Sequence, residues 1–95
     1  MISPAQLRQL LEQHGISPTF LADGSGVLLD VSGHQVLSLN HSASYLMEMI
    51  LAGEEDMEVL QQRFATEFDL PASVAEQDIA AFLATLQDKI TARHG

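Results

Sequence analysis

The sequence predicts an α+β domain with a winged-helix-like arrangement, in which a three-stranded antiparallel sheet is followed by three helices and preceded by an extra N-terminal helix. Apolar and polar side chains alternate in 27–31 and again in 36–39, as they do in strands that bury one face. From Asn40 to Gly53 the apolar residues instead recur at helical spacing. A hydrophobic share of 46% in 95 residues favours a globular domain with its own core.

The first element is predicted to be a helix from Pro4 to about His14. Ser3 and Gln6 match a capping box, and proline suits the first helical position. Gly15 can end the helix in a left-handed conformation. The leucine stripe of this helix is narrow, so the pattern is compatible with a packing helix, a mobile arm or a segment that docks onto a partner.

Three strands are predicted to follow as an antiparallel meander. The first is the short run 19–21, and the glycine-containing turn 23–26 connects it to a second strand over 27–31. Ser32-Gly33 then turns the chain into a third strand over 34–39. A meander of this order leaves the third strand at an edge of the sheet.

Each of the three following helices has its own start signal. Asn40 is a good N-cap for a helix that ends at Gly53, and 57–68 carries the apolar spacing of a second helix. Ser73 and Glu76 match a capping box, which predicts the start of a long last helix.

Composition excludes several classes of function. With 4 basic and 13 acidic residues the net charge is −9, which repels the phosphate backbone of nucleic acids. Without cysteine, disulfides, thiolate metal sites and thiol nucleophiles are excluded. Neither a secretory signal nor an apolar run long enough to cross a membrane is recognisable, so we expect a cytoplasmic protein without a membrane partner.

No motif in the chain predicts catalysis, a metal site or a cofactor. The four histidines are spread over different elements without an i, i+4 pair. His41 and Ser42 are adjacent on a predicted helix, where neighbours point in different directions, so they do not form a nucleophile and base. We therefore expect a protein that is not an enzyme.

The predicted edge strand 34–39 offers a surface for recognition. It carries no lysine, proline or inward charge, the devices that protect strand edges from pairing. Such an edge can accept an extended peptide as an added strand. Alternatively, the N-terminal arm or a second copy of the chain covers it.

Two sets of residues carry a resemblance to a known family. The first set is Val27, Leu28, Leu29, Asp30, Val36, Leu37, Ser38, Leu39, Asn40, Ala43, Leu46, Met47, Ile50, Leu51 and Gly53. The second set is Val59, Leu60, Phe64, Glu67, Phe68, Asp69, Val74, Asp78, Ile79, Phe82, Leu83 and Leu86. With these residues the chain resembles the PqqD-like family, the pyrroloquinoline quinone (PQQ) biosynthesis protein D group, whose fold is also called the RiPP precursor peptide recognition element.

The resemblance implies a peptide chaperone. Members bind the leader of a ribosomally made precursor peptide as an extra strand and deliver it to a modifying enzyme, often a radical SAM protein. The implied peptide-binding residues are Gln35, Val36, Leu37 and Ser38, through their backbone, together with Asp78 and Phe82. Phe82 would be an apolar contact for the peptide, or alternatively a core residue.

The resemblance also divides the chain. Residues 1–17 would be an N-terminal helical arm and 18–95 the peptide-binding domain. The sequence departs from the family where Lys89-Ile90 replaces a common Gly-Leu pair, and in the extra N-terminal helix, which could cover the groove. Two other functions fit the same pattern of elements: a winged-helix DNA-binding regulator and a homodimeric structural module.

Overall fold

The computed structural model describes residues 2–94 and has an α+β fold, which confirms the predicted class. Met1 and Gly95, the outer limits of the two predicted segments, lie outside the described residues. The elements follow one another as α1 (Pro4–Gln13), β1 (Ser17–Phe20), β2 (Gly26–Asp30), β3 (Gln35–Leu39), α2 (His41–Leu51), α3 (Met57–Phe68) and α4 (Ala72–His94). A three-stranded antiparallel sheet is thus preceded by one helix and followed by three.

The sheet has the order β1-β2-β3, which confirms the meander and places β3 at an edge. β1 begins at Ser17, two residues earlier than expected, and includes Pro18 opposite Leu28. Proline has no N–H to donate to a ladder, so it is tolerated on an edge strand. β2 begins at Gly26, which the sequence pattern had assigned to the preceding turn.

Helix α1 packs against the rest of the molecule. The predicted capping box forms: the Gln6 amide donates to Ser3 Oγ at 3.1 Å, and the Ser3 amide donates to Gln6 Oε1 at 2.9 Å. Gly15 has the expected positive φ of 66°. Leu7 and Leu11 are buried in the core that also includes the sheet and the other helices, so α1 is a packing helix.

The start of α2 agrees with the sequence pattern, whereas the start of α4 contradicts it. Asn40 caps α2, its side chain accepting a hydrogen bond from the Ala43 amide at 2.9 Å. Ser73, by contrast, is not an N-cap, because α4 already begins at Ala72. The Pro71 carbonyl accepts the first hydrogen bonds of α4, so the predicted capping box of Ser73 is wrong.

The hydrophobic core lies between the inner face of the sheet and the four helices. Its most deeply buried side chains include Leu28 from β2, Met47 and Ile50 from α2, Leu60 from α3 and Leu83 from α4. Each helix contributes buried side chains, so one core joins α4 to the sheet and to the other helices. Over residues 2–94, no helix has the length and apolarity needed to span a membrane.

Candidate functional site

A groove of about 630 Å³ lies between the edge strand β3 and helix α4 and is open to solvent. Residues of β3 form one wall, residues of α4 form the other, and side chains of α2 and α3 form the floor. The lining residues are Leu37, Ser38, Leu39, Asn40, Ser42, Ala43, Leu46, Phe64, Asp78, Ala81, Phe82, Thr85, Leu86 and Lys89. Four of the six residues implied by the family resemblance are therefore brought together here.

The hydrogen bonds between β1 and β2 determine where the backbone of β2 points. The amide of Leu21 donates to the Ser25 carbonyl at 2.8 Å, just beyond the paired part of the two strands. Bonded and non-bonded pairs alternate in an antiparallel ladder. Val27 and Leu29, two and four residues beyond Ser25, therefore also direct their backbone groups to β1.

The same alternation identifies the free backbone groups of β3. The other residues of β2 direct their backbone groups to β3, where their partners are Gln35, Leu37 and Leu39. The N–H and C=O groups of Val36 and Ser38 consequently point out of the sheet along its open edge. Those four groups are the ones that an added strand would bond.

The floor of the groove is apolar. Leu46 and Phe64 are buried, and Leu37 is almost fully buried beside them. Phe82 is half-buried: it packs against the core and also lines the groove. Phe82 is therefore partly a core residue, and its role as an apolar contact for a peptide stays a prediction.

Gln35 and Val36 do not line the groove with their side chains. Gln35 Nε2 donates to Asp30 Oδ2 at 2.9 Å and to the Lys89 carbonyl at 3.3 Å. Asp30 is fully buried, and its Oδ1 accepts a bond from the Gly33 amide at 2.9 Å. Gln35 therefore ties the β2–β3 turn to α4. The side chain of Val36 lies on the outer face of the sheet and is 61% exposed.

Charged side chains stand at both ends of the groove. Asp78 and Lys89 line it from positions eleven residues apart on α4, which corresponds to about 16 Å along a helix. Sequence reasoning missed Lys89 as a site residue. Residues 78, 82, 85 and 89 recur at helical spacing, which places Lys89 on the same face of α4 as Asp78 and Phe82 and could have identified it.

Helix α1 contributes none of the residues that line the groove. It packs on α2 and α4, and its C-terminal end lies beside the β2–β3 turn, where Ser32 Oγ donates to the His14 carbonyl at 3.2 Å. The expectation that this arm could cover the groove is therefore not met in the described part of the chain.

Within residues 2–94, no three His, Cys, Asp or Glu side chains form a group that could hold a metal ion. A clear displacement of pKa occurs at Asp23, where hydrogen bonds from the Ser25 hydroxyl and amide lower the pKa of the carboxyl. Asp23 lies in the β1–β2 turn and is not part of the groove lining.

Comparison with known proteins gives one family. A family model described as "Coenzyme PQQ synthesis protein D (PqqD)" matches residues 25–89, which is more than half of the chain. No curated protein and no solved structure matches the chain significantly. The matched range includes β2, β3, α2, α3 and every residue that lines the groove.

Proposed function

The chain belongs to the PqqD family, and from this membership and the groove we propose that it is a non-enzymatic peptide chaperone. It binds the leader of a ribosomally made precursor peptide as an added strand beside β3. It then presents the leader to a modifying enzyme, for which a radical SAM protein is the candidate. Members of the family are non-catalytic accessory proteins, and the family name associates them with PQQ biosynthesis.

The observation that carries the proposal is the direction of the β3 backbone. Val36 and Ser38 offer two N–H and two C=O groups along an open edge that borders a groove. An extended peptide can satisfy all four, because adjacent strands lie about 4.8 Å apart and repeat every two residues. The groove between β3 and α4 provides the space for such a strand.

Backbone bonds alone would give only weak binding. Each contributes about 0.5–1.5 kcal/mol net, whereas association costs at least about 4 kcal/mol in lost freedom. One apolar side chain buried against Phe82 and Leu86 would add about 1.5–3 kcal/mol. The proposal therefore requires a leader with an apolar residue on the side that faces α4.

Proline substitutions along β3 test the proposal. Val36→Pro and Ser38→Pro each remove an N–H that points out of the sheet, so both variants should stay folded and bind a labelled precursor leader at least about tenfold more weakly. The leader to be labelled is sought among short precursor genes beside the gene for this chain. Binding is measured by fluorescence anisotropy, and folding by circular dichroism.

Gln35→Pro and Leu37→Pro are the matched controls. Each removes an N–H that bonds β2, so these variants should lose stability instead of showing a selective binding defect. If Val36→Pro and Ser38→Pro bind the leader as tightly as the wild type, strand addition at β3 is wrong. Protection of the Val36 and Ser38 amides from hydrogen exchange in the complex is a second, independent readout.

A further inference from the structure

The groove is lined by one cation, Lys89, and one anion, Asp78, which would favour one order of charges in a peptide ligand. Lys89 lies near Gln35, at the start of β3, since the Lys89 carbonyl accepts a bond from the Gln35 side chain at 3.3 Å. Asp78 and Asn40 also line the groove. From Gln35 to Leu39 the strand advances by about 14 Å, and α4 advances by about 16 Å from Lys89 back to Asp78. A helix α4 that follows β3 along the groove from this contact brings the cationic end beside the start of the strand and the anionic end beside its finish.

The alternation of a strand determines which ligand side chains meet these ends. Cross-strand partners point to the same face of a sheet. A ligand residue opposite Leu37 therefore faces the apolar floor, and the ligand residues opposite Gln35 and Leu39 point to the same face of the sheet. Alternate ligand residues would accordingly approach Lys89 beside the start of β3, the apolar floor beside its middle, and Asp78 beside its end.

Lys89 is an unusual feature in so acidic a chain. The protein has 4 Lys and Arg residues and a net charge of −9. One of these cations, Arg8, is paired with Glu55 at 2.6 Å on another face of the molecule. The overall field therefore repels acidic ligands, and Lys89 supplies a local place where an acidic side chain is favoured.

From this arrangement we infer that the groove selects peptides whose three inward residues are basic, apolar and acidic, in that order along a strand antiparallel to β3. The inference rests on the proposed function, because it specifies the ligand class of the same groove. An antiparallel ligand runs from the Asp78 end to the Lys89 end, so its basic residue comes first. Antiparallel pairing is slightly more stable per residue than parallel pairing.

Two synthetic peptides of identical composition test the inference. The first is Thr-Thr-Lys-Thr-Leu-Thr-Glu-Thr-Thr and the second is Thr-Thr-Glu-Thr-Leu-Thr-Lys-Thr-Thr, both with blocked ends. Because their charge is the same, the overall field of the protein acts on them alike. The wild type should bind the first peptide two- to about tenfold more tightly, and added salt should reduce the difference. Titrations followed by amide chemical shifts measure both affinities.

A charge-swapped variant supplies the decisive comparison. Asp78→Lys combined with Lys89→Glu leaves the net charge unchanged and alters two exposed residues, so the fold should persist and the preference should reverse. Arg63→Glu combined with Glu67→Lys is the matched control, because these exposed residues of α3 do not line the groove. That control should keep the preference of the wild type.

The outcomes separate the inference from the function on which it rests. Equal binding of both peptides by the wild type, or the same preference in the charge-swapped variant, overturns the charge order while strand addition stands. If neither peptide shifts the amides of Val36 and Ser38, and the uncharged peptide with Gln at both charged positions also fails, the groove as a peptide site is overturned. A preference for the second peptide overturns the inferred order, and its reversal in the charge-swapped variant would show that Asp78 and Lys89 act instead on a parallel strand.

Discussion

A single carboxyl in the β1–β2 turn, that of Asp23, accepts two hydrogen bonds from Ser25. Ser25 donates its hydroxyl to Asp23 Oδ1 at 2.6 Å and its amide at 3.0 Å, and these bonds lower the pKa of Asp23 below its ordinary 3.8. A carboxyl with a depressed pKa in the folded state stabilises the fold above its unfolded pKa. The stabilisation is lost as the pH falls below about 3.8, through the folded pKa.

Removal of the Ser25 hydroxyl should reverse part of this lowering of the Asp23 pKa. In Ser25→Ala the first and largest cause of the shift is absent, so the pKa of Asp23 should rise toward 3.8, while the amide bond retains part of the effect. Carbon chemical shifts of the Asp23 carboxyl, followed over an acid titration, measure both values. An unchanged pKa in the variant would contradict the assigned cause.

Gly26 makes a tertiary contact that the local sequence pattern does not predict. Gly26 follows Gly24 and Ser25 and was predicted to be part of the turn, yet it is the buried first residue of β2. A Cβ at Gly26 would lie 2.9 Å from both the Thr19 carbonyl and Ser44 Oγ. The glycine is needed because α2 approaches the sheet closely here, and that contact is not visible in the local sequence.

At the scale of whole elements, two serines with the same local pattern behave differently. Ser3 and Ser73 are both followed three residues later by Gln or Glu, but only Ser3 caps a helix. Pro71 explains the difference, since its carbonyl accepts bonds from the amides of Val74 and Ala75 and α4 begins at Ala72, two residues before the start that a Ser73 cap predicts. The capping-box pattern is local, so it does not predict a case in which a preceding residue accepts the first hydrogen bonds of the helix instead.

The two serines make a matched pair for mutagenesis. Ser3→Ala should lower the free energy of unfolding by about 1 kcal/mol, because the Gln6 amide loses its acceptor. Ser73→Ala should change it by less than about 0.5 kcal/mol, because Ser73 lies exposed within the first turn of α4. Urea unfolding compares them, and equal losses would show that Ser73 also caps its helix.

The strands and helices were predictable because their periods are local properties of the sequence, whereas the groove was only partly predictable. It joins β3 to α4 across more than thirty intervening residues, so the positions of Asp78 and Phe82 came from the family resemblance. Lys89 gave no separate signal of a site, because a lysine is favoured near the C-terminal end of any helix by the helix dipole. Spacing along α4 becomes informative only when one residue of its groove face is already known.

In the molecule as a whole, the open edge of β3 favours association with a second copy, whereas the net charge opposes it. An unprotected edge can pair with a second copy, which is the basis of the homodimeric alternative. A net charge of −9 on each copy opposes that encounter, especially at low ionic strength. The proposed function needs a free edge, so it favours a monomer over a dimer paired through Val36 and Ser38.

The state of assembly should therefore be that of a single chain. Sedimentation equilibrium at low salt should give the monomer mass of 10.3 kDa for the protein alone, and that mass plus one leader peptide when the precursor leader is bound. Ser38→Lys adds a charge beside the free edge and serves as the control, since it should dissociate any dimer that forms through β3. If this variant dissociates a dimer and the leader also dissociates it, then the edge of β3 is paired with a second copy when no leader is bound. A dimer that resists both would place self-association on another surface and leave the groove free.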